Sequence, residues 1–477
     1  MKKTIKSGER CFRRNNFSHD FNEVNGLRLL TKDRSFYRQF FSLLFFIALQ
    51  NLVSYSVSLA DNVMISRYSQ DALTGVSLVN QVQFLLQMIV GSAGEGVVVL
   101  AAQYWGAKNR EPIKPITSIG LKVALAISLA FMAAAFIAPE GILRLLSQED
   151  DAVAEGVKYM RIIRYTYPLY GLSTVILASM RSVENVRVGF TVMLSSLFIN
   201  MGLNYCLIFG HLGFPMMGAE GAAVATLVSR AFELIAATVY MFMIDRKLRV
   251  KPRELLKAEP ALWRDYRKYA TPVMLAGASW GMAMFVQTAI IGRMGENAIA
   301  ANAVASSLFG MISVFAYGGG NAAGVITGKL VGEGDMKKLR EYVRSMQIMF
   351  LLTGVVTGSV LFAVREPIIR LYSLEIEETR EIARQFIAVL SVTVVGSSYQ
   401  APALTGIVRG GGHTKFVFYN DLVFQWGVVI TLSALAQFVW HLPPVWVFLC
   451  LKSDQLLKCV VAVFEVNSYR WMHKLTR

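Results

Sequence analysis

The stretch Asp61–Leu73, "DNVMISRYSQDAL", returns 226 residues later as Gln287–Ile299, "QTAIIGRMGENAI", so that Arg67 falls on Arg293. Each copy is a short polar turn between two apolar runs long enough to cross a bilayer as helices. The turn closing the second run, "QYWGAKNREPI" from Gln103, lies over "KLVGEGDMKKL" from Lys329 at the same offset, which pairs Gly106 with Gly332. Farther on, Arg181 lies over Arg409 at an offset of 228. Three matches in one order and at nearly one spacing read as an internal duplication.

Composition agrees with a chain made of such runs. Of 477 residues, 54% are hydrophobic and only 17% charged, against about a quarter charged in soluble domains, and mean hydropathy is +0.45. A water-soluble enzyme is excluded on that balance. Apolar runs predict twelve spans near 39–65, 73–100, 115–138, 159–180, 188–210, 219–244, 270–292, 299–327, 345–364, 385–407, 416–439 and 444–467. The expected fold is therefore an all-α polytopic membrane protein, with twelve transmembrane helices in two six-helix repeats forming two lobes around a central cavity. Six is even, so both repeats enter the membrane in the same direction, related by an axis along its normal. The organisation reads as a polar basic tail (1–38), an N-lobe (39–244), an inter-lobe loop (245–269), a C-lobe (270–467) and a second tail (468–477).

The formal charge of +16 would suggest nucleic acid in a soluble protein; in this class it records which loops stay in the cytoplasm, and no nucleic-acid partner is expected. Lys and Arg divide 34 to 10 between the two sets of loops, with four inside spans. That places both termini in the cytoplasm of a cell-membrane protein. Residues 1–38 lack the apolar core and cleavage site of a signal peptide. The cysteines, Cys11, Cys206, Cys450 and Cys459, include no pair at metal-ligand spacing, so reduced thiols are expected.

A charge in hydrocarbon costs about 2.5–3.5 kcal/mol on insertion scales, so each buried acid needs a reason. Asp61 stands six residues before Arg67, about 9 Å from that helix end at about 1.5 Å per residue, and its repeat mate is the neutral Gln287. A carboxylate in a partly dehydrated pocket binds a proton reversibly or ligates a sodium ion; the structural alternative is a carboxylate satisfied by neighbouring Asn or Ser. Asn200 and Asn204, four apart, share one helix face and offer two carbonyl oxygens to a cation, or serve as interhelical hydrogen bonds. Glu95, whose mate is Asn321, is either a second proton site or the partner of a basic group. Arg230 with Glu233, and Asp454 with Lys458, read as locally neutralised pairs. Gly318–Gly320 read as a close-packing patch.

The turn "RGGGHTK" from Arg409 lacks the GxxxxGK[ST] spacing of a phosphate loop and joins two apolar helices, so it reads as a tight turn. With no nucleotide motif, HExxH or triad arrangement, no enzyme activity and no cofactor are expected. The energy for transport then comes from an ion gradient or from the substrate itself. Among the many aromatics, Trp280 and Tyr399 are expected in the cavity with Gln287 and Ser398, where rings stack on flat cations.

"LADNVMISRYSQDALTGVSL" (59–78), "QYWGAKN" (103–109), "INMGLNYCLIFG" (199–210) and "GAEGAAVATLVSR" (218–230) resemble, in this order, the multidrug and toxic compound extrusion (MATE) exporters, a likeness covering about residues 40–475. The resemblance implies an antiporter that exports organic cations and other amphipathic compounds while protons or sodium ions flow inward; separately, a monomer is expected. It implies that Asp61, Asn200, Asn204 and Thr226 form an N-lobe cation site. There are two departures. Acids carried in spans seven and ten by one sodium-coupled branch are replaced here by Trp280 and Ser398, and the proline that bends span one is replaced by Phe46, whose mate is Pro272. The runner-up is a lipid-linked oligosaccharide flippase of the wider superfamily, for which two further spans and several cavity arginines would be expected.

Overall fold

The computed structural model describes residues 30–256, 259–372 and 376–476. The basic tail as far as residue 29, with Cys11, lies outside them, as do two residues of the inter-lobe loop. Among the described residues every regular element is a helix. Ten helices are each long and apolar enough to cross a membrane: α1 (Arg34–Ser66), α2 (Gln70–Gly106), α3 (Ile113–Ile137), α5 (Val186–Phe209), α6 (Gly218–Ile244), α7 (Pro260–Gly292), α8 (Glu296–Glu333), α9 (Met336–Leu371), α10 (Glu377–Val408) and α11 (Thr414–Val439). Two further crossings are broken helices: α4 (Asp150–Ile163 with Thr166–Ser182) and α12 (Pro444–Leu451 with Asp454–Ser468). The break in α4 falls just ahead of Pro168, which has no N–H to continue the ladder. In α12 the Ser453 hydroxyl bonds the Cys450 carbonyl at 2.7 Å, which competes with that ladder.

Local chemistry moves some expected boundaries. Helix α1 begins at Arg34 instead of residue 39, because Asp33 caps it, its Oδ1 accepting from the Ser35 amide at 2.8 Å. The other oxygen accepts from the Tyr342 hydroxyl of α9. That bond, ahead of the one from Ser35, lowers the carboxyl pKa to about 2. Helix α4 begins at Asp150 instead of residue 159, adding an amphipathic turn whose Ala152 and Gly156 pack on Gly75 of α2.

The face carrying the starts of α1, α3, α7 and α9 is the one on which the 34 Lys and Arg were counted, and is called the basic face below. There the repeats exchange their first helices. The basic-face half of α1 (Phe36, Phe40, Leu43, Ile47) is buried in one core with Val343, Met346 and Phe350 of α9 and Ala403 and Ile407 of α10. The corresponding part of α7 (Leu262, Tyr266, Ala270) is buried with α2, α3 and α4, and the Tyr266 hydroxyl donates to the Ala93 carbonyl at 2.9 Å.

Between these exchanged helices α2 crosses α8 at a self-complementary point. A Cβ on Gly106 would collide with the Lys329 carbonyl, and one on Gly332 with the Gln103 carbonyl. Both residue pairs, 106 with 332 and 103 with 329, differ by the repeat offset of 226, so the repeat axis passes through this crossing. Only glycine leaves room for backbones at this distance.

Candidate functional site

Helix α1 leaves the C-terminal repeat as it ascends. Its Gln50 side chain donates to the Val186 carbonyl at 2.9 Å, where Gly189 makes room for it, and α1 then runs along α5. Helix α5 is held close to α6 because Gly221 lies against the Leu207 carbonyl and the Ser196 hydroxyl donates to the Ser229 carbonyl at 3.2 Å. These contacts converge three helices on one polar cluster in an otherwise apolar bundle.

Its centre is Asn204, which is fully buried. The Asn204 amide nitrogen donates to Asp61 Oδ1 at 2.5 Å and to Asn200 Oδ1 at 3.2 Å. Asn200, 1% exposed, donates in turn to Thr226 Oγ1 at 3.4 Å. All four residues expected at the cation site are therefore brought together, along one hydrogen-bonded chain. The Asn204 carbonyl oxygen is buried with no hydrogen-bond partner. A buried acceptor without a donor is costly, so this oxygen has a lone pair to offer a proton donor or a cation.

Sequence reasoning missed two members of this neighbourhood. Tyr159 of α4 places its hydroxyl beside Thr226 and Gln83. Arg230, read only as a neutralised pair, makes that pair with Glu233 at 2.6 Å but also bears electrostatically on Asp61, with its guanidinium 5.0 Å from the Tyr170 ring centre. Glu233 is held separately by the Ser173 hydroxyl at 2.7 Å. Neither was visible as a periodicity or a spacing, since each depends on which helices adjoin.

Glu95 lies elsewhere, at the seam of the repeats near the basic face. Its carboxylate is paired with Arg181 and, at 3.4 Å, with Arg409. These are the two arginines that the repeat superposes, one from each lobe, and the geometry is that of a partner for basic groups. Sequence reading assigned both arginines to loops, but their side chains turn inward. In the C-lobe, Lys458 contacts Asp454 at 3.3 Å as expected, and also Asp421 of α11 at 2.9 Å, which the sequence did not reveal.

The expected cavity residues divide. Trp280 is half-buried at the seam of α7 and α2, its ring centre 5.9 Å from that of Phe84. Tyr399 is 7% exposed and donates to Gln347 at 2.7 Å, and Ser398 is buried against Gly354 of α9. Both residues thus contact α9, through Gln347 and Gly354. Gln287 is buried as well. Among the described residues no group of three His, Cys, Asp or Glu is placed to hold a metal ion, and Cys206, Cys450 and Cys459 are free thiols.

The MatE family model matches residues 47–206 and again 272–435, once per repeat. The chain is 25% identical over 427 residues to the "Probable multidrug resistance protein NorM" of Thermotoga maritima, covering 88% of this chain and 90% of that one. It is 21% identical to the "Uncharacterized transporter YisQ" of Bacillus subtilis, covering 87% and 90%. Among solved structures it superposes on a MOP-superfamily transporter from Pyrococcus furiosus with a TM-score of 0.83 at 17% identity, over 94% of this chain and all of that one. It superposes likewise on a variant of the Vibrio cholerae MATE transporter VcmN with a TM-score of 0.82 at 15% identity, over 91% and 97%.

Proposed function

The chain belongs to the MatE family, and from that premise we propose that it is a secondary antiporter exporting organic cations and other amphipathic compounds in exchange for protons or sodium ions. The observation that carries this reading is the chain of side chains linking Asp61 through Asn204 and Asn200 to Thr226. An ionised carboxylate in hydrocarbon is retained where its charge is used. Asp61 is the only acid in the cluster, and the neutral oxygens around it supply ligands without adding charge. A cation bound there neutralises the Asp61 carboxylate, and its release restores a site for a cationic group of the substrate, so the two occupants exclude each other.

In this reading the described conformation is closed on the basic face, where α2 and α8 cross. Asp61 lies toward the other end of α1, five residues before its last residue, Ser66. Alternating access then moves the two lobes about that crossing. A flippase is the weaker reading, since Arg181 and Arg409 are held by Glu95 and not free to take a pyrophosphate. The test is ethidium efflux from energised vesicles, in which a proton gradient or a sodium gradient is collapsed separately. Efflux stopping with one of them supports the antiporter and names its ion, whereas efflux indifferent to both overturns it.

The basic face is assigned to the cytoplasm and the protein to the cell membrane, acting as a monomer. In a background without native cysteines, Ala154→Cys, on the exposed side of the start of α4, is expected to react with an impermeant thiol reagent added outside intact cells. Lys251→Cys, exposed in the inter-lobe loop, should be labelled only after lysis. The reverse pattern would invert the topology and the direction of transport.

A further inference from the structure

The segment after α12 does not hang free. Tyr469 turns the chain in the left-handed region, φ 54°, and Trp471 folds back fully buried, its indole N–H donating to the Val466 carbonyl at 2.9 Å. The seat for that ring is the glycine run of the turn between α10 and α11: a Cβ on Gly411 would strike it. The next strand of contacts runs outward from there. The His473 amide donates to the Gly411 carbonyl at 2.8 Å. Beyond it the chain crosses to the other lobe, where Gln103 of α2, itself fully buried, grips it at two points. Its amide nitrogen donates to the His473 carbonyl at 3.1 Å, and its oxygen accepts from the Leu475 amide at 2.8 Å. Leu475, 7% exposed, is buried with the N-terminal repeat's core, whereas Trp471 is buried with the other.

We propose that residues 469–476 are a strap that ties the two lobes together across the basic face, with Gln103 as its catch, and that opening toward this face requires the catch to release. Gln103 stands in the α2–α8 crossing, one turn of helix before Gly106, and the corresponding residue of the other repeat is Lys329, which pairs with Glu184 across the lobes at 2.7 Å. The strap is thus an asymmetric addition to a symmetric seam. A backbone held by one side chain through two bonds can be let go without unfolding either lobe. Its part in the cycle is to favour the conformation closed on the basic face.

This rests on the alternating-access reading, and the test separates the two. Asn321→Cys, in the small cavity between the lobes lined also by Glu95, Thr405 and Arg409, is placed in a background without native cysteines. Its rate of modification by a thiol reagent is measured from the basic face in inside-out vesicles. Compared are the intact chain, a chain ending at His473, which keeps Trp471 seated, Gln103→Ala, and Leu475→Met as the conservative control. The expected result is labelling about fivefold or more faster in the shortened chain and in Gln103→Ala, with Leu475→Met close to the intact rate. Labelling that occurs at one rate in all four would overturn the strap and leave alternating access standing. No labelling in any of them, with the reagent shown to reach Lys251→Cys, would overturn both.

Discussion

Asp61→Asn is expected to reduce gradient-driven export to the level of cells lacking the protein, at equal amounts of inserted protein. The substitution keeps the size of the side chain and an oxygen for the Asn204 amide, which now donates at 2.5 Å, so the bundle should fold normally. What it removes is the one charge that a proton or sodium ion neutralises. Asp61→Glu keeps a titratable group displaced by about 1.5 Å and should retain part of the activity. Asn204→Ala removes the donor that both Asp61 and Asn200 share. It also removes one neutral oxygen from the cluster while leaving the charge of Asp61 in place, so export should fall less than in Asp61→Asn and remain measurable at a steep gradient. Efflux is measured with ethidium in cells expressing matched amounts of each variant; wild-type efflux by Asp61→Asn would remove this cluster from the coupling step.

The second large effect is expected at the crossing of α2 and α8. Gly106→Val places a branched Cβ where the Lys329 carbonyl stands, and Gly332→Val does the same at the Gln103 carbonyl. The obstacle in each case is backbone, which does not swing aside, so the helices must part. Overpacking of this kind costs about 1–3 kcal/mol. If that cost falls on the conformation closed on the basic face, the balance between the two states shifts roughly 5- to 150-fold. Export should fall accordingly, and Asn321→Cys should become reactive from the basic face. The double variant should cost less than the sum of the two, because both strain one contact and the first already separates the helices. Gly202→Ala is the control, since a Cβ there meets nothing within 4 Å. A normal export rate and unchanged labelling in Gly106→Val would mean that the crossing is not a moving part.

How much of this was legible in the sequence depended on whether the signal was local or relational. The duplication was legible because the turns around Arg67 and Arg293 conserve their polar pattern at one offset, and the spans because hydrocarbon demands long apolar runs. Asp61 was legible because a lone carboxylate inside such a run is costly wherever its neighbours lie. Asn200 and Asn204 were legible as a pair by helical spacing, but their junction with Asp61 and Thr226 followed from the resemblance, not from spacing.

Relations between helices far apart in sequence were not legible. Arg181 and Arg409 were counted as loop charges because nothing local shows that both side chains turn toward Glu95. Tyr399 and Ser398 were expected in the cavity because polar and aromatic residues suit a binding surface, and their contact with α9, where Gln347 takes the Tyr399 hydroxyl, has no local signal either. The glycine run Gly410–Gly412 read as a tight turn. It is also the seat of Trp471, sixty residues later, and only the folded chain brings the two together. The exchange of α1 and α7 between the repeats was hidden for the same reason: an apolar face records that it is buried, not against which helix.

The central claim, that cation and substrate exchange at the Asp61 cluster, is tested most directly by counter-flux in proteoliposomes. Purified protein is reconstituted with a pH indicator inside, or with labelled sodium, and an organic cation gradient is imposed in the absence of any ion gradient. The account predicts that the wild-type protein moves protons or sodium ions opposite to the substrate, and that Asp61→Asn moves neither ion under the same gradient. Ion movement by Asp61→Asn at the wild-type rate, or substrate movement by the wild-type protein with no counter-ion at all, would contradict it.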